Sequence, residues 1–427
     1  MVLVGVGMFI DGFDVYASAT ILGATLESGF STIEQNARFV SVTFVGMMIG
    51  SFLTGFLGDR YGRRFTYQAN LLIFGLASLA CALVKSMDWL IVLRGIMGVG
   101  LGAEMGVGFS TLTEFVPPHS RGRWVGILSV ITVSSLPISA LVGTLVIPGL
   151  GWRAMFVLGG IGALAVWYVR KALPESPRWL EAVGRFDEAD AILQTFERDV
   201  RRHHPVLPLL APSSPVRPAL GAGALFGPAL LPSLVVGSTT LIVANTLIYG
   251  FVTWLPTFFV HEGRSMLTSF RYSLVMSIGA PIGSTIAALT ADSLGRRPVI
   301  VGASLLTIVL GGIYPFVTDP VLLPLAGFLL MIPIYALVTI LFAIYIPELF
   351  PTDVRLRGAG ICNTFGRSSA IITPFVVVAL VRAHGMFGVV SLLIGLLIVQ
   401  IVVVLAFGVE PGKRRLEEVG AAQMARR

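Results

Sequence analysis

Twelve apolar runs of about twenty residues, parted by short polar breaks, fill most of this 427-residue chain. A helix crossing a hydrocarbon core about 30 Å thick needs about 20 such residues. In lipid every backbone N–H and C=O must be satisfied within the protein, so runs of this length read as helices. The first six runs are 2–26, 37–57, 66–85, 89–115, 124–147 and 153–173. The second six are 229–260, 272–290, 298–317, 321–346, 359–381 and 386–408. With 55% hydrophobic and 12% charged residues, the chain lies far from soluble proteins, which carry roughly 25% charged residues. Disordered, collagen-like and disulfide-scaffold classes are excluded by the same composition. The predicted fold class is an all-α polytopic membrane protein. Its first run is continuous with the rest and reads as a span, with no removable signal. That run starts almost at the first residue, as expected if a short leader precedes it in the native chain.

Positive charge sets the expected orientation. With both termini cytoplasmic, the inner side receives Arg60, Arg63, Arg64, Arg121, Arg123, Arg296, Arg297, Arg355 and Arg357, together with the basic residues of the central loop and the tail. The outer side receives only Arg38, Lys85, Arg153, Arg264, Arg271 and Arg382. This is a positive-inside pattern for a multi-pass protein of the cell (inner) membrane. It accounts for the net charge of +7 without a nucleic-acid partner.

The chain divides into four regions: a six-helix half over 1–173, a cytoplasmic loop over 174–228, a second six-helix half over 229–409 and a tail over 410–427. Within the loop, Phe186, Ala189, Ile192, Leu193 and Phe196 are spaced for one face of a surface helix over 184–202. A Pro-rich connector over 205–218 comes after it. The halves repeat. Gly58–Arg64 (GDRYGRR) returns as Asp292–Arg297 (DSLGRR), with Asp59 and Asp292 separated by 233 residues. Glu114–Gly122 (EFVPPHSRG) returns as Glu348–Gly358 (ELFPTDVRLRG), at a separation of 234. Duplicated halves place a substrate site at the midplane between them, reached alternately from each side.

These residues resemble the major facilitator superfamily over nearly the whole chain. GDRYGRR between spans two and three is its most specific signature, and Arg94–Gly102 (RGIMGVGLG) is similar to its fourth-span motif. Pro174–Leu180 (PESPRWL), and Glu410 with Leu416–Glu418 (LEE), resemble the sugar porters and their metabolite-transporting relatives. The sugar porters' span-seven glutamine pair and span-ten tryptophans are missing: span seven reads Asn245–Gly250 (NTLIYG). A hexose would find few polar partners there. Asp11–Asp14 (DGFD) is similar to the DGxD element of aromatic-acid:proton symporters, and Asn363–Arg367 (NTFGR) to a segment of organic-anion transporters. Niacin-type transporters combine these elements. The resemblance implies two pseudo-symmetric six-helix halves and import, by proton symport, of a small organic anion. An aromatic carboxylate such as nicotinate or a hydroxybenzoate fits best. The alternatives are a sugar or polyol porter, a drug or metabolite exporter, or a receptor without flux. An enzyme has no supporting constellation, and the protein is taken as a monomer.

Charges in a bilayer core cost roughly 2.5–3.5 kcal/mol each on insertion scales, so each needs a partner or a task. Five fall within spans: Asp11, Asp14, Arg94, Glu104 and Arg367. Asp11 and Asp14 share a helix face. By the resemblance Asp14 pairs with Arg94 and handles the proton; the competing reading is a static bridge between spans one and four. Asp11, repeat-equivalent to Asn245, is a second titrating group or an acceptor lining the cavity. Glu104 is a rival proton site. Gly98, Gly102 and Gly106 come after Arg94 at four-residue spacing, which suits close helix approach.

Arg367 offers a planar fork matched to a carboxylate, with Asn363 on the same face. Tyr249 and Trp254 in span seven, and Tyr335, Phe342 and Tyr345 in span ten, are candidate pocket rings, although such residues also serve as packing. Carboxylate–arginine pairs at the loop motifs are expected to latch one state: Asp59 with Arg63 and Arg64, Glu114 with Arg121, Asp292 with Arg296, and Glu348 with Arg355 or Arg357. No cofactor is expected. The five histidines form no metal set, no phosphate-binding loop is present, and Cys81 and Cys362 read as packing residues.

Overall fold

The computed structural model describes residues 2–115, 121–172, 175, 177–203, 225–350 and 354–410. Within those ranges the side chains at 2, 3, 54–56, 58, 59, 63, 103–115, 121–123, 125, 172, 178, 182, 196, 197, 199–203, 292, 347, 355 and 356 fall outside the description. The first half consists of α1 (Val2–Glu27), α2 (Ile33–Tyr61), α3 (Arg63–Leu83), α4 (Met87–Phe115), α5 (Arg121–Leu150) and α6 (Arg153–Val169). Two further helices, α7 (Pro177–Ala182) and α8 (Phe186–His203), pack on each other outside the bundle.

The second half is more broken, and the breaks matter. Span seven is α9 (Leu231–Gly250), a 3₁₀ turn over Val252–Trp254, and α10 (Leu255–His261), which restarts with Pro256. Proline suits a first helical turn because its missing N–H has no partner there anyway. Span eight is α11 (Met266–Ser277) and α12 (Gly279–Leu294), and span nine is α13 (Arg296–Ile313). Span ten is α14 (Leu322–Thr339), with Pro333 inside it, a π-helical stretch over Ile340–Tyr345, and the short α15 (Ile346–Glu348). Spans eleven and twelve form one unit, α16 (Arg355–Phe407), which folds back at Gly385 with φ 62° and ψ −151°. A side chain is strained at such a φ, and glycine is not. Among the described residues the chain thus makes twelve helical passages.

Within the first half α2 packs on α4, α3 on α4 and α6, and α1 on α5. In the second, α9 packs on α16, and α12 and α13 pack on α14. Without a hydrophobic drive between helices in lipid, close packing must hold them. The glycines of α2 and α4 provide it: a Cβ at Gly98 or Gly102 would run into the backbone oxygens of Thr43 and Met47. The buried apolar residues form two clusters, one centred on each half. The halves meet along α2 with α16, α5 with α11 and α12, and α1 with α10.

One end of the bundle carries Arg60, Arg64, Arg296 and Arg297 and is called the basic end; the other is the far end. On α8, Ala189 is buried and Ile192 half-buried, as their spacing suggests, but Phe186 and Leu193 are exposed. That helix therefore covers less of its apolar face than its sequence implies. The Pro-rich connector lies outside the described residues.

Candidate functional site

Asp14 sits near the middle of α1 and meets Arg94 of α4, with Oδ2 accepting from Nη1 at 2.6 Å. Both are almost fully buried. The guanidinium uses its other donors as well: Nη2 donates to Ser18 Oγ at 2.7 Å and Nε to Thr43 Oγ1 at 3.2 Å. Its carbon lies 5.1 Å from the centroid of the Phe39 ring. Helices α1, α2 and α4 are thereby tied at one point. Asp11 is buried one turn earlier on α1, while the side chain of Glu104 lies outside the described residues.

Arg367 is placed differently. It lies midway along the span-eleven part of α16, half-buried, with Nη1 shielded from solvent and without a hydrogen-bond partner among the described residues. Tyr249 of α9 is close enough to interact with it electrostatically. Burial without pairing leaves a cation's hydrogen-bonding capacity open to an incoming anion. Tyr335 of α14 is buried, and its ring packs edge-on against Tyr16 of α1 with centroids 6.5 Å apart. Asn245 is buried and donates to Leu241 O at 2.7 Å, and Asn363, half-buried, donates to Ala359 O at 2.9 Å. The structure thus brings Tyr249 to Arg367 and sets Tyr335 in the same midplane layer.

Three predicted pocket rings lie apart from this group. Trp254 is buried in the 3₁₀ turn of span seven and stacks on Phe258 at 6.1 Å, towards the far end. Tyr345 is buried at the basic end, its hydroxyl against Gly408. Phe342 is exposed within the π-helical stretch. Spacings of seven and three put Tyr335, Phe342 and Tyr345 on one face of a regular α-helix. The π turns between them hold more residues per turn and so rotate the later side chains about the axis. The common face does not survive.

At the basic end the pairing also differs from expectation. Glu348 binds Arg296 in a two-point contact, Oε2 accepting from Nε at 2.9 Å and Oε1 from Nη2 at 3.0 Å. Arg357, one of the two anticipated partners, is exposed. Arg296 stands at the start of α13, from which its side chain reaches Glu348 at the end of α15. Arg64 donates its Nη2 to Lys171 O at 2.7 Å. The side chains of Asp59, Arg63, Glu114, Arg121, Asp292 and Arg355 lie outside the described residues.

Two glutamates are absent from the latch expected on sequence grounds. Glu175 accepts the backbone N–H of Arg64 at the start of α3, at 3.1 Å and 3.2 Å. Glu410 accepts those of Arg296 and Arg297 at the start of α13, at 2.9 Å and 2.8 Å. Each carboxylate caps free N–H groups and faces the positive end of a helix dipole. The glycines before these helices, Gly62 and Gly295, have φ of 94° and 91°. Glu175 and Glu410 are 235 residues apart, close to the repeat offset, which is the signal that could have identified them.

Among the described residues, three polar ties join the halves on the far side. Arg382 of α16 pairs with Glu34 of α2, Glu27 of α1 accepts from Met266 N at 3.4 Å, and Ser41 of α2 donates to Ile371 O at 2.7 Å. By contrast, the Glu348–Arg296, Glu175 and Glu410 contacts each stay within one half.

A family model described as the Major Facilitator Superfamily matches residues 4–374. The inner membrane metabolite transport protein YdjE of Escherichia coli (strain K12) is 38% identical, over 98% of this chain and 94% of its own length. The niacin transporter NiaP of Acinetobacter baylyi is 31% identical, over 98% of this chain and 95% of its own. Among solved structures, the xylose transporter XylE from E. coli, in a partially occluded inward open conformation, matches with a TM-score of 0.73 at 16% identity, covering 97% of this chain and 98% of that one. That likeness carries the fold.

Proposed function

The chain belongs to the major facilitator superfamily and is a secondary transporter of metabolites, and on that premise we propose that it imports a small aromatic carboxylate, such as nicotinate or a hydroxybenzoate, by proton symport. The observation that carries this reading is Arg367: a half-buried cation at the midplane whose Nη1 has no hydrogen-bond partner among the described residues, with Tyr249 in its vicinity. A carboxylate binds its fork through two parallel hydrogen bonds. Niacin transport by a relative at 31% identity supports the same class.

Asp14 and Arg94 carry the coupling. Ionised, Asp14 holds α1 to α4 through the 2.6 Å bridge. Protonation neutralises the acid and leaves Arg94 to Ser18 and Thr43, which loosens one of its three ties. Proton arrival thereby changes the packing of α1, the helix that also meets the second half at α10. By the positive-inside pattern the basic end is cytoplasmic, in a cell (inner) membrane. The far-side ties then hold the outer entrance shut, and Glu175, Glu410 and the Arg296–Glu348 pair stiffen the inner ends of the two halves as they rock.

The test is a thermal-shift panel on purified protein with nicotinate, benzoate, 4-hydroxybenzoate and xylose. The acids should stabilise the protein by several degrees and xylose should not. Arg367→Ala should lose the shift while its unliganded melting temperature stays within a few degrees of wild type. Stabilisation by xylose alone, or unchanged acid affinity in Arg367→Ala, rejects the reading.

A further inference from the structure

Two ring pairs cross between the halves at the midplane. Tyr16 of α1 meets Tyr335 of α14 with centroids 6.5 Å apart and planes at 61°. Phe44 of α2 meets Tyr249 of α9 at 4.2 Å and 60°. Each pair takes one ring from each half. Tyr335 and Phe44 are buried, whereas Tyr16 and Tyr249 are only partly so. The two accessible rings therefore come from opposite halves, and each is backed by a buried ring of the half it faces.

The two pairs form one group. Tyr16 and Tyr249 both pack against the buried cluster that contains Tyr335. Ring pairs in contact have centroids roughly 4.5–7 Å apart, so no third ring fits inside either pair as they stand. A planar guest would instead meet the partly exposed rings of Tyr16 and Tyr249, with its carboxylate towards Arg367. A saturated ring of the same charge has no π face of its own, so it forfeits the offset-stacked or edge-on contact that an aromatic ring makes with them.

We propose that Tyr16 and Phe44 are specificity-determining residues: with Tyr335 and Tyr249 they form a ring-lined slot, shared between the halves, that selects planar aromatic guests over saturated rings of equal size and charge. The proposal rests on the carboxylate reading above and deepens it. Because the slot is built from both halves, it is complete only when they close around the midplane. Selection and occlusion are then one event, and a guest that offers no aromatic face binds without drawing the halves together. Phe44 acts through Tyr249 by fixing the tilt of its ring, and Tyr16 presents its own face.

The experiment measures binding of benzoate and cyclohexanecarboxylate, which share a carboxylate and carbon count, to purified full-length protein. Wild type should prefer benzoate by roughly tenfold, the worth of one to two aromatic contacts. Tyr16→Leu and Phe44→Leu should each reduce that ratio to about twofold or less, whereas Tyr16→Phe should keep it. Tyr16→Leu, at a partly exposed ring, carries the test independently of the buried Phe44. Equal binding of both acids by wild type, or a ratio untouched in Tyr16→Leu and Phe44→Leu, overturns the slot and leaves the carboxylate reading standing. Absence of binding by either acid to wild type overturns the carboxylate reading itself.

Discussion

Arg94 and Arg367 are both arginines in the middle of a span, yet their surroundings assign them opposite work. Each side-chain nitrogen of Arg94 has a partner, in Asp14, Ser18 and Thr43; Arg367 has donor capacity to spare. Removing the acid from a buried pair costs about 3–5 kcal/mol. Asparagine keeps one acceptor for Arg94, so Asp14→Asn should cost about 3 kcal/mol, the lower end of that range. In proteoliposomes it should abolish proton-driven accumulation while energy-independent exchange of labelled acid persists. Wild-type accumulation would remove Asp14 from proton handling. These charges were legible in the sequence because an ionised group in an apolar run stands out by its cost. Tyr16 and Phe44 were not: among 27 phenylalanines and nine tyrosines, nothing local says which ring faces a cavity. The Tyr345 assignment failed for a related reason, since spacing predicts a shared face only while the helix stays α.

Between helices the controlling quantity is how closely two backbones approach. Gly98 and Gly102 of α4 lie against backbone oxygens of α2, with no side chain between that could yield. Gly98→Leu should therefore destabilise by about 2–3 kcal/mol through overpacking. Gly395, which faces open space in α16, should accept leucine within about 0.5 kcal/mol. Thermal unfolding of the two variants in detergent makes the comparison, and equal losses would show that propensity alone is at work. The stripe was readable from its four-residue spacing, but its partner helix was not. The break of span seven at Phe251–Trp254 also went unread, because Pro256 in an apolar run equally suits a tolerated kink. Pairing of Glu348 with Arg296 depended on which helix ends become neighbours, a tertiary outcome that the repeat alone does not contain.

The arrangement of the halves decides which face is closed, and the duplicated motifs are silent on it. Glu34 and Arg382 are 348 residues apart and not repeat-equivalent, so only the assembled bundle reveals their contact. Cys81 and Cys362 are both buried and free, which leaves the background quiet for thiol chemistry. Bridging Glu34→Cys and Arg382→Cys with a short bis-methanethiosulfonate, which forms a disulfide at each cysteine as methanesulfinate leaves, should block uptake into right-side-out vesicles, reversibly on reduction. Acid binding from the inner face should remain. Uptake that continues at an unchanged rate in the bridged protein would mean that the rim does not part during transport. The overall plan of two six-helix halves was readable throughout, because span length and repeat offset are both written along the chain. Gly385 has a consequence of its own. Spans eleven and twelve are joined through that one glycine with no loop between them, so a single residue's backbone sets the angle between the segment holding Arg367 and its neighbour. The neighbour ends at Phe407, just short of the Glu410 carboxylate that grips the start of α13. An anion held at Arg367 as proposed would thus act on a span pair whose other end lies at the inner rim, some 40 residues further along the chain.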